Sequence, residues 1–169
     1  SHVKDINTEI IINCAGRTRS IIGAQTLIDL GISNKVKALE NGTQGWFLSD
    51  LCLDHNKSNF LDVRPNDTEL KKIQNKIFKS LINHNINLID FSKAQELILD
   101  KNKSTFIFNV TNSNKNMSSI RHVPGGQLVQ ATDKYIGVLN ATLILVDDGD
   151  LIRAGTTAIW LKKMGYQVH

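Results

Sequence analysis

Residues 14–20 of this chain, Cys14-Ala15-Gly16-Arg17-Thr18-Arg19-Ser20, hold the residue types that could do covalent chemistry. A cysteine attacks as the thiolate, and positive charge or backbone N–H groups beside it favour that form. Arg17 and Arg19 supply two charges, and Gly16 is expected to take backbone angles that a side chain would forbid. The N–H groups of residues 15–20 can curl inward as an anion-binding nest, and Ser20 is expected to cap the helix that follows. Cys14 is therefore the candidate catalytic residue, with a depressed pKa. Ala15, Gly16, Arg17, Thr18, Arg19 and Ser20 are the candidate substrate-binding residues, since the field that ionises the thiol would also hold an anionic substrate. A plainer reading, a core cysteine followed by a solvated basic loop, does not explain why the arginines, the glycine and a helix start fall together.

Such a loop must be held by its neighbours. Before it, residues 9–13 form a β-branched run of the kind buried on both faces of a parallel sheet. After it, Ile21, Ala24, Leu27 and Ile28 recur at helical spacing, with Gly31 where a left-handed C-terminal cap belongs. Residues 35–39 read as the next strand, so residues 9–39 make one βαβ unit. Residues 40–46 read as a glycine-punctuated loop closed by Trp46. A capping box at residues 66–69 opens an amphipathic helix with Leu70, Ile73, Ile77 and Leu81 on one face, ended by residues 83–85. Further on, a cap at Ser92 precedes a short helix, and residues 105–109 read as a strand. A polar loop at 112–119 follows, then a buried strand at 142–146 and a helix bearing Ala154, Ala158, Trp160, Leu161 and Met164, ended by Gly165.

Composition excludes several classes. With 169 residues, 41% hydrophobic and 21% charged, the chain is globular, and two cysteines are too few for a disulfide scaffold. No apolar run approaches the roughly 20 residues needed to cross a bilayer, and there is no signal-peptide pattern, so the expected setting is the reducing cytoplasm, without membrane contact. The net charge of +4 is scattered, with no basic block, which argues against nucleic acid. Five dispersed histidines show no ligand spacing, so metal binding finds no support. Ser1-His2 reads as the remnant of a cleaved tag.

The two strand-loop-helix units match each other. Laying Cys14 on Asp147 places residues 10–12 on 143–145 and Gly16 on Gly149, with one inserted residue before Gly165. An internal repeat of this separation means two copies of one domain. Cys14, four intervening residues, Arg19 and a helix-opening Ser20 resemble the active loop of the rhodanese family of sulfurtransferases. Residues 38–46 are similar to that family's strand and glycine-rich turn ending in tryptophan, with Asn41 and Thr43 departing from its usual double glycine. Residues 87–99 resemble its opening helix, and His122-Val123-Pro124-Gly125-Gly126 its His-hydrophobic-Pro-Gly-Ala turn. The organisation resembles bacterial proteins with several rhodanese domains in tandem, in which active and degenerate copies alternate.

The resemblance implies an α/β fold, a rhodanese-like parallel sheet flanked by helices, here composite from parts of two tandem copies. The expected division is 3–58, the C-terminal half of an active domain; 59–87, a connector with the amphipathic helix; and 88–169, a degenerate domain lacking its end, with residues 166–169 stopping where a strand should begin. The chain is thus expected to be a segment of a longer protein. The activity implied is transfer of a sulfane sulfur from a small anionic donor, thiosulfate, to cyanide or a thiol acceptor through a persulfide on Cys14, with the loop N–H groups, Arg17 and Arg19 holding the substrate. Two alternatives stay open: a non-catalytic anion-binding or regulatory module, and a cysteine phosphatase or arsenate reductase, whose loops generally have five residues between Cys and Arg instead of four. A homodimer or swapped assembly is a further expectation.

In the second copy Asp147 stands at the nucleophile position among Asp148 and Asp150, so that copy is expected to be catalytically dead; the aspartates suit turns and caps better than a cation site. Cys52, between Leu51 and Leu53, is expected to be a buried structural thiol. Trp46 is expected beneath the active loop and Trp160 in the core. Residues 60–64 imitate the family's Asp-Val-Arg strand, but residues 108–111, followed by His122, take that role, with Asn109 and Thr111 replacing its charges.

Overall fold

Short branched aliphatic runs favour extended backbone and capped amphipathic runs favour helix. The two alternate in the computed structural model, which describes Val3 and residues 5–56, 65–111 and 120–169. The imitative run 60–64 and the polar run 112–119 lie outside the described residues. The chain forms two compact units, Ser1–Leu70 and Lys71–His169.

In the first unit, β1 (Ile10–Ile12) precedes α1 (Thr18–Asp29), β2 (Val36–Ala38) and α2 (Gly42–Leu48). The two strands pair in parallel, Ile10 opposite Val36 and Ile12 opposite Ala38, and α1 is the crossover that packs on them. Gly23 lets it approach closely, because a Cβ there would lie 3.2 Å from the Ile12 side chain. Gly31 takes the left-handed conformation (φ 72°) expected of the cap, and Ile32 N–H donates to the Leu27 carbonyl at 3.2 Å. One expectation is corrected here: β1 is not buried on both faces. Ile11 stays 57% exposed, because α1 covers one face and the residues of β1 alternate in and out. A second correction is α2, which stands where a loop was expected. Its glycines have poor helix propensity, and what starts it is a left-handed pair, Asn41 (φ 54°) and Gly42 (φ 58°).

The helix α3 (Asp67–Asn83) opens with the expected reciprocal box: Glu69 N–H donates to Asn66 Oδ1 at 2.9 Å and Asn66 N–H to Glu69 Oε2 at 3.4 Å. Then come α4 (Phe91–Leu99), β3 (Thr105–Asn109), β4 (Arg121–His122), α5 (Gly125–Gln130), α6 (Thr132–Tyr135), β5 (Thr142–Val146), α7 (Ile152–Lys163) and β6 (Gln167–Val168). The four strands form one parallel sheet in the order β4-β3-β5-β6. Its core joins Phe108 and Leu143 of the sheet to Leu128, Leu161, Ile77 and Leu81 of the helices, all fully buried. Gly155 admits α3, since a Cβ there would overlap the Ile77 side chain. The cap of α4 is Asp90, which accepts from Lys93 N–H at 2.8 Å, two residues before the expected Ser92. Trp160 is half-buried, with the Lys163 ammonium 5.2 Å from its ring centre, because it lies on the outer side of α7. Residues 166–169 were expected to stop short of a strand, yet β6 pairs with β5 and His169 N–H donates to the Leu143 carbonyl at 2.9 Å.

Candidate active site around Cys14

β1 ends at Ile12 and α1 starts at Thr18, so residues 13–17 must reverse the chain beside a helix N-terminus. Arg17 is the N-cap residue and makes no side-chain cap. Ser20 does not cap the helix as expected. It lies inside the first turn, fully buried, and its hydroxyl donates to the Arg17 carbonyl at 2.8 Å. The uncapped first-turn N–H groups therefore keep their donor capacity and positive dipole end for another acceptor.

That acceptor is the half-buried sulfur of Cys14. Its Sγ is 3.5 Å from Ser20 Oγ. The thiol is held below its ordinary pKa by the Ser20 hydroxyl first, against desolvation, which raises it; the N–H groups of Ser20 and Gly16 and the charge of Arg19 add to the lowering. Ser20 Oγ has one proton, however, and it is shared. In the thiol form S–H donates to Ser20 Oγ while Ser20 serves the Arg17 carbonyl. On ionisation the hydroxyl must turn to the sulfur and leave that carbonyl. The two N–H groups and Arg19 need no such exchange, so they are the steadier part of the field.

Arg17, Thr18, Arg19 and Ala15 are exposed. Neither arginine forms an ion pair among the described residues, and Arg19 is the one whose charge acts on the thiol. Gly16 is corrected too: it is not in the left-handed region, and a Cβ there would meet only Gln44 Oε1 at an ordinary 3.4 Å. The glycine this loop requires is Gly42, which sequence reasoning placed in a following turn without a role. A Cβ on Gly42 would overlap the carbonyl oxygens of Cys14 and Gly16 and lie 2.9 Å from the Ala15 carbonyl carbon. From there Thr43 N–H donates to the Cys14 carbonyl at 3.0 Å and Gln44 N–H to the Ala15 carbonyl at 2.9 Å. The missed signal was the Asn41-Gly42 pair itself, two residues that tolerate positive φ. Asn41 thus does in backbone terms what a first glycine would.

Trp46 donates from its indole N–H to the Cys52 carbonyl at 3.0 Å and is 41% exposed. That hydrogen bond ties the indole to the chain after α2. Cys52 is exposed rather than buried, because the chain there runs over the surface.

The corresponding loop of the second unit is filled by its own side chain. Asp147 Oδ1 accepts from Gly149 N–H at 2.9 Å and Oδ2 from Ala154 N–H at 3.0 Å. Asp150 accepts from Ile152 N–H at 2.9 Å. The aspartates act as turn and cap residues, and no cluster of metal-ligating side chains occurs among the described residues. Asn109 and Thr111, neutral where the family has charges, are buried and satisfied: Thr111 N–H donates to Asn109 Oδ1 at 3.0 Å, and His122 Nε2 meets the Thr111 carbonyl at 2.7 Å. Among the described residues no helix is long and apolar enough to cross a membrane.

The chain is similar in structure to the crystal structure of thiosulfate sulfurtransferase from Pseudomonas aeruginosa, with a TM-score of 0.88 and 37% sequence identity over 99% of this chain. It spans 32% of the length of that protein. No protein-family model matches the chain, and no curated protein does.

Proposed function

The chain is related to the rhodanese family, and from that relationship we propose that it is a sulfurtransferase that moves a sulfane sulfur from thiosulfate to cyanide or a thiol acceptor through a persulfide on Cys14. The observation that carries the reading is the sulfur of Cys14 set against the N–H groups of Gly16 and Ser20, at an uncapped helix start, with Arg19 beside it. In the first step the thiolate attacks the outer sulfur of thiosulfate, a new S–S bond forms, and the old S–S bond breaks with its electron pair leaving on sulfite. In the second, cyanide attacks the outer persulfide sulfur, thiocyanate departs, and the thiolate returns. The electrons balance within the two steps, and no metal or organic cofactor enters.

The chain's own groups have distinct tasks. The N–H groups of residues 15–20 stabilise the terminal persulfide charge, which is anionic as the thiolate was, so one cradle serves both states. Arg17 and Arg19, exposed and without ion pairs among the described residues, draw the thiosulfate oxygens inward. The second unit, with a carboxylate in the nucleophile's place, is non-catalytic. The proposed setting is a reducing cytoplasm, which keeps Cys14 a thiol, and the proposed assembly is a homodimer or swapped pair.

Mass spectrometry of the intact chain after thiosulfate treatment is the test. A gain of one sulfur, localised to Cys14 and discharged by cyanide as thiocyanate, is expected, and Cys14→Ser should abolish it. Folded protein that gains no sulfur would overturn the reading. An aryl-phosphate assay run alongside separates it from cysteine phosphatase chemistry, which the loop length of four residues between Cys14 and Arg19 disfavours. Light scattering that reads a clean monomer would sink the proposed assembly.

A further inference from the structure

We propose that the Asn41-Gly42 turn is a positioning device for Cys14: by bringing the first N–H groups of α2 onto the carbonyls of Cys14 and Ala15, it fixes which way the amides of the active loop face. The inference rests on the reading of Cys14 as nucleophile for its catalytic consequence only; the geometry stands apart from it.

A trans peptide sets its N–H opposite its C=O. The Cys14 carbonyl is taken by Thr43 N–H at 3.0 Å, so the Ala15 N–H of the same peptide points away from α2. Likewise the Ala15 carbonyl is taken by Gln44 N–H at 2.9 Å, which turns the Gly16 N–H the other way, and that N–H is one of the groups that lower the Cys14 pKa. Two hydrogen bonds on one side of the loop thus decide where its donors lie on the other. They also satisfy two N–H groups that have no partner within α2, because the first turn of a helix has none.

The close approach depends on Gly42. Its positive φ starts α2 in the right direction, and its missing Cβ leaves room for the backbone of residues 14–16. All three atoms a Cβ would strike are backbone atoms, so no side chain can rotate away, and the loop or α2 would have to shift. Gly45 packs the turn from behind, since a Cβ there would lie 2.5 Å from the Cβ of Asn41. None of these residues needs to touch substrate.

The experiment reads the thiol directly, in a Cys52→Ser background so that Cys14 alone reacts. The pH dependence of Cys14 alkylation by iodoacetamide is compared for the parent, Gly42→Ala and Gly126→Ala. Gly126 has open space where a Cβ would go and serves as the control for glycine loss in general. Gly42→Ala is expected to move the alkylation midpoint up by about one pH unit, and so slow the reaction at neutral pH about tenfold; Gly126→Ala should leave both unchanged. A folded Gly42→Ala with the parent's midpoint would overturn the proposal. Hydrogen exchange of the parent gives a reading that does not depend on the variant folding. The Thr43 and Gln44 amides should be protected, and exchange at the rates of an open chain would equally overturn it. If both results hold while thiosulfate leaves no sulfur on Cys14, the positioning stands and the sulfur-transfer reading falls.

Discussion

Arg17 and Arg19 look equivalent in the sequence, two positions apart on one basic loop, yet they differ once the loop is folded. Both are exposed, and of the two it is Arg19 whose charge lowers the Cys14 pKa. An exposed charge acting through solvent contributes modestly, and salt screens it further. Arg19→Ala is therefore expected to slow Cys14 alkylation at neutral pH by about two- to fivefold at low salt, while Arg17→Ala changes it little. Binding of the proposed donor, thiosulfate, is expected to weaken in both variants, because each removes a positive charge from the loop that would attract a small dianion. The sign of the pH dependence follows from the same field. The proposed nucleophile is the deprotonated form, so the rate of the proposed persulfide formation is expected to rise as pH passes upward through the Cys14 pKa and then to level. Because that pKa is lowered, the rising limb should lie below the value near 8.5 usual for a free cysteine. A rate profile centred at the ordinary thiol value would contradict the lowering by the Ser20 hydroxyl, the N–H groups and Arg19. Ser20→Ala should move the limb only part of the way back, since the N–H groups of Ser20 and Gly16 remain.

At the scale of elements, the two strand-loop-helix units answer one electrostatic problem in two ways. Each presents helix N–H groups to the end of a parallel strand. Around Cys14 they face an ionisable sulfur; in the second unit Asp147 brings a carboxylate to them and closes the loop on itself. Asp147→Ala should then cost about 1 kcal/mol, in the manner of a lost helix cap, read as a lower denaturation midpoint of the second unit. An unchanged midpoint would mean that Asp147 is not a cap. The elements that pattern alone revealed are those whose apolar runs repeat cleanly: residues 105–109 and 142–146 are strands as expected, and Gly31 and Gly165 end their helices with positive φ. What stayed hidden depends on contacts distant in the chain. Helix α2 is poor in helix formers and exists because Gly42 starts it against the loop of Cys14. Ile11 looked as buried as Ile10 and Ile12, because three isoleucines in a row do not say which face is covered. Ser20 looked like a cap because it has the right residue type one turn from the right place. The catalytic candidate itself was legible, since a cysteine, two arginines and a helix start are local in sequence. The geometry that holds it was not, since Thr43 and Gln44 arrive after an intervening helix and strand.

At the scale of the whole chain, the two units differ in how much core supports their hydrogen bonds. The sheet of the second unit has four strands and a contiguous set of fully buried side chains, with Phe108 and Leu143 at its centre. The sheet of the first has two strands of three residues with one face exposed at Ile11, and among the described residues of that unit the one fully buried side chain is the small polar Ser20 of α1. Two-stranded pairing is marginal unless a packed helix supports it, and here that helix, α1, leaves Ile21 and Ile28 nearly half exposed. Opening free energy follows buried apolar contact, so local unfolding should begin in the first unit. In native-state hydrogen exchange the amides of Ile12 and Leu39, which close the β1-β2 pair, should exchange faster than those of Leu143 and Leu145 in β5. Because the loop of Cys14 is anchored at Ile12 on one side and α2 on the other, its amides belong to that same weaker unit. Occupation of the loop by an anion stabilises only the closed form, in proportion to the logarithm of ligand concentration. Thiosulfate should therefore slow exchange at Ile12, Thr43 and Gln44 while leaving Leu143 unchanged. Equal slowing in both units would show that they open together, and no slowing at all would mean that the loop does not hold the donor.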